Sequence, residues 1–289
     1  MGQQKYKRNH WVPQAYLRAF AADSNRAKIW TFGKTDGDPM LKPISKVAVK
    51  FYLYAPGENG QRDYSTEQKL GDLEQLFGNP FWSKVSTGFI DLNKPTIRKG
   101  VALLTAVMHL RNPKMLERTT DIYERFRELF MTEDEPPDIV EIAGRRLEVD
   151  KESWPAYRDA APDDIKRMWL GSLNQAAWMA ELLLKMRWAI IASDTPVFIT
   201  SDNPVTIIHP SLQFRGLKDP ETSVLFPLSP TRMLYLDNRR SEPDSQYYAV
   251  RGQGEAQNLL VWRNAIEHML SHRHPDEVCA EMISGTHVA

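Results

Sequence analysis

Cysteine is almost missing: Cys279 is the only one in 289 residues. A single thiol excludes an internal disulfide framework and a four-cysteine metal cage. Net charge is missing too. Thirty-seven Lys and Arg balance 37 Asp and Glu, so the strongly basic footprint of many nucleic-acid-binding domains is not there. No stretch of about 18 apolar residues exists to span a bilayer, and the opening MGQQKYKRNHW lacks the apolar run of a secretory signal. G-x-S-x-G and a Walker lysine loop are absent, and Gly252-Gln253-Gly254 lacks the further glycine and the strand–helix setting of a dinucleotide loop. The expectation is a soluble protein of a reducing compartment, cytoplasmic and without a membrane partner. What is present, 42% hydrophobic and 26% charged residues, suits one globular domain over residues 1–289 with a sizeable core.

The zero net charge conceals an asymmetry. Residues 1–50 hold ten Lys and Arg against three acids, whereas residues 117–164 hold fifteen acids against seven bases. The basic segment also carries Tyr6, Trp11, Tyr16, Trp30 and Phe32. Cations interleaved with aromatics are a pattern that can grip phosphates and stack bases. Mutual neutralisation of the two segments within one fold is the competing explanation. The run Met131–Asp138, MTEDEPPD, combines acids with two prolines and reads as an exposed, flexible loop.

Periodicity supplies the elements. Pro13 to Ala21 reads as a short helix and Lys28–Gly33 as a strand, with another strand over Val47–Tyr54. Ser65, with Gln68 three positions on, reads as a capping box that opens a helix to Phe77. Helices follow over Ile97–Asn112, Lys114–Phe130 and Asp163–Arg187. From Trp188 the runs WAIIAS, VFIT, VTIIH, VLFPLS and RMLYLD predict an antiparallel meander, and Ala256–Arg273 a closing helix. Helices first and strands later argue an α+β fold. Its helical portion covers about residues 65–187, and its antiparallel sheet is built mainly from 188–250, joined by N-terminal strands and a C-terminal helix.

Six residues stand out as candidate chemistry. Glu67 and Glu74 share one helical row with Gly71 between them, leaving a notch in which two carboxylates could hold a divalent cation or take opposite protonation states. Arg111 lies on the apolar face with Val101, Leu104 and Met108, where it needs a carboxylate; Glu67 and Glu74 are the natural partners. His109 points well away from Arg111 and reads as a surface or secondary-core histidine. His10 precedes the helix that begins at Pro13. Asp202 and Asn203 sit in the turn Ser201-Asp202-Asn203-Pro204 between two strands. Each has an ordinary structural alternative: solvated glutamates, a loop-bonding histidine, an Asx turn. His268, His272 and His274 lack the glutamate and third ligand that a helical zinc site needs.

The opening His10-Trp11-Val12-Pro13-Gln14-Ala15-Tyr16-Leu17-Arg18-Ala19-Phe20 resembles the H-x-V-P-x-x-Y-L-x-x-F signature of the domain of unknown function 4238 family. The Glu67–Glu74 helix, the Phe198–Val205 segment, Phe226-Pro227-Leu228-Ser229-Pro230 and the helix from Asn258 to Ala265 are similar to that family in the same order, over roughly residues 5 to 273. The resemblance implies a shared fold and shared polar positions, not a reaction.

Together these features suggest a hydrolase-like enzyme acting on a phosphoester, with nucleic acid as one such substrate. Glu67, Glu74 and Asp202 would serve as metal ligands or acid–base groups, His10 as a proton shuttle, Arg111 as an anion stabiliser and Asn203 as a substrate orienter. The alternatives are a non-catalytic module binding nucleic acid, a nucleotide or a protein through the same cleft, and a structural domain in which the ion pairs are buried staples. The catalytic and binding readings require positions 10, 67, 74, 111, 202 and 203 to converge in one water-accessible hollow.

Overall fold

The computed structural model describes residues 8–35, 37–78, 80–130, 136–142, 145–152, 154–211 and 215–286. Up to Arg62 the chain forms short strands around one short α-helix: β1 (Arg8–His10), α1 (Gln14–Leu17), β2 (Lys28–Gly33), β3 (Pro39–Pro43), β4 (Val49–Phe51), β5 (Gly57–Glu58) and β6 (Gln61–Arg62). Four helices follow, α2 (Ser65–Gly78), α3 (Pro80–Thr87), α4 (Pro95–Leu110) and α5 (Pro113–Phe130). A hairpin of β7 (Ile139–Ile142) and β8 (Arg145–Glu148) leads to α6 (Trp154–Arg158), α7 (Pro162–Ser172) and α8 (Ala176–Lys185). The remainder is β9 (Arg187–Ala192), β10 (Thr200–Ser201), β11 (Thr206–Ile208), β12 (Ser223–Ser229), β13 (Arg232–Asp237), β14 (Gln246–Ala249), α9 (Glu255–Asn264), β15 (His268–Ser271) and α10 (Pro275–Thr286). The chain is α+β, as the order of its patterns predicts, and no described helix is long and apolar enough to cross a membrane.

Alternation along the central strands explains the layering. In β12, Val224, Phe226 and Leu228 face the main core together with Trp188, Leu234, Leu236 and the apolar sides of α3, α4 and α8. Leu225 points the other way, into a second cluster with Met233, Val261, Met269, Val278 and Met282. Covered on both faces, β12 is buried throughout and reads as a continuous apolar run.

Several elements differ from their sequence-based expectation, each for a local reason. The meander is not wholly antiparallel: the five-stranded sheet runs β11-β12-β13-β9-β14, and its last pair is parallel. Of the VFIT run only Thr200 is strand; with Ser201 it forms β10, which pairs with β15 in a second sheet of order β10-β15-β2-β3. The expected helix over 256–273 stops at Asn264. Lys34 Nζ donates to the carbonyls of Arg263 (2.8 Å) and Ala265 (2.5 Å) there, and the chain then extends to complete the second sheet against β2. The long helix expected over 163–187 is interrupted by a 3₁₀ turn at Leu173–Gln175, where the Ser172 hydroxyl bonds back to the Trp169 carbonyl (2.6 Å). Asp63, rather than Ser65, caps α2, accepting from both the Ser65 amide and hydroxyl. Of the expected acidic loop at 131–138, residues 131–135 lie outside those described.

Candidate functional site

The HWVP segment is first of all an anchor. Val12, Tyr16, Leu17 and Phe20 are fully buried, and the Tyr16 hydroxyl lies 2.7 Å from both Thr200 Oγ1 and the Pro227 carbonyl. This fixes β1 and α1 against β10 and β12, which in turn positions His10 and Trp11. Trp30 and Phe32 pack on His274 and Trp262. Apart from Tyr6, which lies outside the described residues, the aromatics that the basic segment interleaves with its cations pack against other side chains.

Four of the six candidates meet around the end of α4. Arg111, 2% exposed, donates from Nη2 to Glu74 Oε1 (2.7 Å) and to the His10 carbonyl (2.7 Å), and from Nε to the Tyr54 hydroxyl (3.2 Å). Tyr54 in turn donates to the Arg111 carbonyl at 2.8 Å. Burial alone would lower the Arg111 pKa, but Tyr54 and Glu74 outweigh it and hold the guanidinium above its ordinary value. Glu67 stands close enough for burial to push its carboxyl up against the pull of Arg111 and a hydrogen bond with Asn9, and its Oε2 is sealed from solvent without a partner. The His10 ring donates from Nε2 to the Ser45 carbonyl (3.2 Å). Burial lowers the His10 pKa, against the opposing influence of that carbonyl and Glu74. The apolar crevice beside Glu74 and Arg111, bounded by Pro13, Leu73 and Phe77, has no room for water.

Asp202 and Asn203 are held separately. The Asp202 carboxylate accepts three backbone amides, Ile266 to Oδ1 (2.8 Å) and Glu267 and His268 to Oδ2 (2.8 and 3.0 Å), and is 1% exposed. Burial raises its pKa while those amides pull it back. It clamps the turn to the start of β15. Among the described residues Glu67, Glu74 and Asp202 do not assemble as a metal trio. The carboxylate and imidazole groups close enough together are Asp202, Glu267 and His268, and both Asp202 oxygens there are already engaged. Asn203 bridges in a different direction: Oδ1 accepts from Asn112 Nδ2 (3.0 Å), Nδ2 donates to the Asn264 carbonyl (2.9 Å), and Asn264 Nδ2 returns a bond to the Asn203 carbonyl (2.8 Å). Trp11 Nε1 and Asn112 Nδ2 both donate to the Asp202 carbonyl, at 2.7 and 3.2 Å. The two halves thus touch through Trp11 and Asn112, but they do not share one hollow.

Among the described residues, Asn203 is the one of the six that lines a cavity of ligand size. This cavity, about 490 Å³, lies between the start of α5, the β11–β12 edge and the end of α9, within the usual range for small-molecule sites. Five cationic side chains line it, Lys114, Arg118, Arg215, Arg239 and Arg263, against one carboxylate, Glu221. Lys114 pairs with Glu117 and Arg239 approaches Glu221 at 3.9 Å. Among the described residues Arg118, Arg215 and Arg263 form no ion pair. The N-terminus of the 18-residue α5 adds the positive end of its dipole through Lys114 and Met115. Two side-chain atoms of lining residues are sealed from solvent and have no partner among the described residues: Thr206 Oγ1, in a residue 2% exposed, and His109 Nδ1. Burial, with Arg118 nearby, pushes His109 down to about 4, so the ring is neutral at pH 7.

Sequence reasoning missed this cavity. Its residues come from five separated stretches, and the one local signal, Lys114 and Arg118 four apart on α5, is ordinary on a helix surface. Comparison with curated proteins and with solved structures gives no match. The sequence profile of one family does match, over residues 8–274, spanning the HWVP anchor, the Arg111 cluster and every wall of the cavity: the chain belongs to DUF4238, described as a protein family of unknown function.

Proposed function

We propose that this protein binds a phosphate-bearing ligand of nucleotide size in the cavity between α5, β11–β12 and α9. One observation carries the reading: five cationic side chains, Lys114, Arg118, Arg215, Arg239 and Arg263, stand around a 490 Å³ opening against one carboxylate, Glu221. Guanidinium groups match phosphate geometry and stay charged. A nucleic acid would enter this site by a terminal nucleotide, since the opening is concave and local.

Thermal melting tests the proposal with three probes: adenosine monophosphate, inorganic phosphate and adenosine. The first two are expected to raise Tm, as ligands that bind only the folded state must, and the rise should shrink as salt is added. Neutral adenosine at the same concentration should do less. Equal shifts from adenosine and its monophosphate, or none from either anion, contradict it.

A further inference from the structure

The edge of the same cavity carries an arrangement that anion binding does not use. His209 follows β11 directly, lines the cavity, and has a side chain only 10% exposed. Its Nδ1 lies 2.7 Å from Ser211 Oγ, and its Nε2 lies 3.2 Å from Asp219 Oδ1. The Ser211 amide also donates to Nδ1, at 3.1 Å. An amide cannot accept, so Nδ1 carries the lone pair and the ring proton sits on Nε2, facing Asp219. That is the tautomer a base needs when the hydroxyl stands at Nδ1. Asp219 is fixed in turn: its Oδ1 accepts the Glu221 amide (2.9 Å), and its carbonyl accepts from Asn238 Nδ2 (2.8 Å). Ser211 itself is exposed and open to a substrate.

We propose that Ser211 is a nucleophile, His209 its general base and Asp219 the group that orients the base, together hydrolysing a carboxylic ester within a phosphate-bearing molecule. Hydroxyl, base and orienting carboxylate stand within hydrogen-bond reach in that order, the arrangement that activates a serine. The electrophile is a neutral carbonyl rather than a phosphoryl group. Asp219 and Glu221 both approach Nε2, at 3.2 and 3.8 Å, and would repel a charged phosphorus centre here. The substrate's phosphate goes instead to the arginines, and in this the substrate class rests on the anion-binding reading. Ser211 Oγ adds to the carbonyl carbon as its proton passes to Nδ1. The tetrahedral adduct collapses, the C–O bond to the leaving alcohol breaks, and that oxygen takes the proton from Nδ1. Water then adds to the acyl-serine, giving its proton to Nδ1, and collapse returns that proton to Ser211 with release of the acid.

A fluorophosphonate, from which an activated serine oxygen displaces fluoride, tests this on the full chain, with mass spectrometry locating the adduct. The adduct is expected on Ser211 and absent from Ser211→Ala. It should form about 100-fold more slowly in His209→Gln and more slowly in Asp219→Asn, with Tm unchanged in the serine variant. Adenosine monophosphate should slow labelling of the wild type. No adduct on Ser211, or equal rates in wild type and both His209→Gln and Asp219→Asn, overturns the nucleophile even if the nucleotide raises Tm. Labelling of Ser211 that the nucleotide neither slows nor accompanies with a Tm shift overturns the substrate class and the anion-binding reading, and leaves the serine assigned.

Discussion

Arg111 shows what a buried charge does in this protein. Its guanidinium joins Glu74, the His10 carbonyl and the Tyr54 hydroxyl, so one side chain ties α4 to α2, β1 and the loop after β4. Replacing it by Met would leave three oxygens without their donor in a nearly dry place. Arg111→Met is expected to lower unfolding free energy by about 3–5 kcal/mol, measured by urea denaturation; a loss below 1 kcal/mol would show that the cluster is solvated and weak. His109 makes a second prediction at this scale. Its folded-state pKa, about 4, lies below the ordinary 6.5, so the folded protein binds fewer protons than the unfolded chain between those values. The stability this represents is complete above pH 6.5 and is lost as pH falls towards 4. His109→Gln should therefore remove about 1–2 kcal/mol of the stability loss seen on going from pH 7 to pH 5. An unchanged pH dependence would mean that the ring is open to water. His272, also lowered to about 4 by burial and Arg273, contributes in the same sense and serves as the comparison variant.

Elements were readable from sequence where periodicity ran long and local chemistry agreed with it. Strand β2 matches its expected bounds, and α2, α4 and α5 lie within about two residues of theirs. Reading failed where a distant partner decided the outcome. The end of α9 depends on Lys34, more than 200 residues away in sequence, and β15 forms because β2 offers it an edge. The candidate site followed the same rule. Arg111 on an apolar face announced a buried ion pair, and Glu74 supplies it. Asp202 looked like chemistry in a turn but holds three amides instead, a role no spacing distinguishes. The start of α9 carries its own test. Gly254 caps it at φ +71°, and a Cβ there would lie 3.1 Å from Phe198 Cε1. Gly254→Ala is expected to cost about 1–3 kcal/mol through strained backbone and crowding. A urea midpoint equal to wild type would show that Phe198 can move aside.

Across the whole molecule, neutrality hides a local separation of charge. Equal totals of acid and base still leave five cations facing one carboxylate around a single opening. The walls of that opening depend on the network joining Asn112, Asn203 and Asn264, so the HWVP anchor and the Arg111 cluster act on the cavity through the neighbours they hold in place. The most direct test is a binding isotherm for adenosine monophosphate on wild type and on Arg118→Glu/Arg263→Glu, both exposed positions whose change should leave the fold intact. Saturable binding that weakens at least about tenfold in the double variant, a difference of ~1.4 kcal/mol, is the predicted result. Equal affinity in the two proteins, or no binding to the wild type at low salt, would contradict the assignment of this cavity.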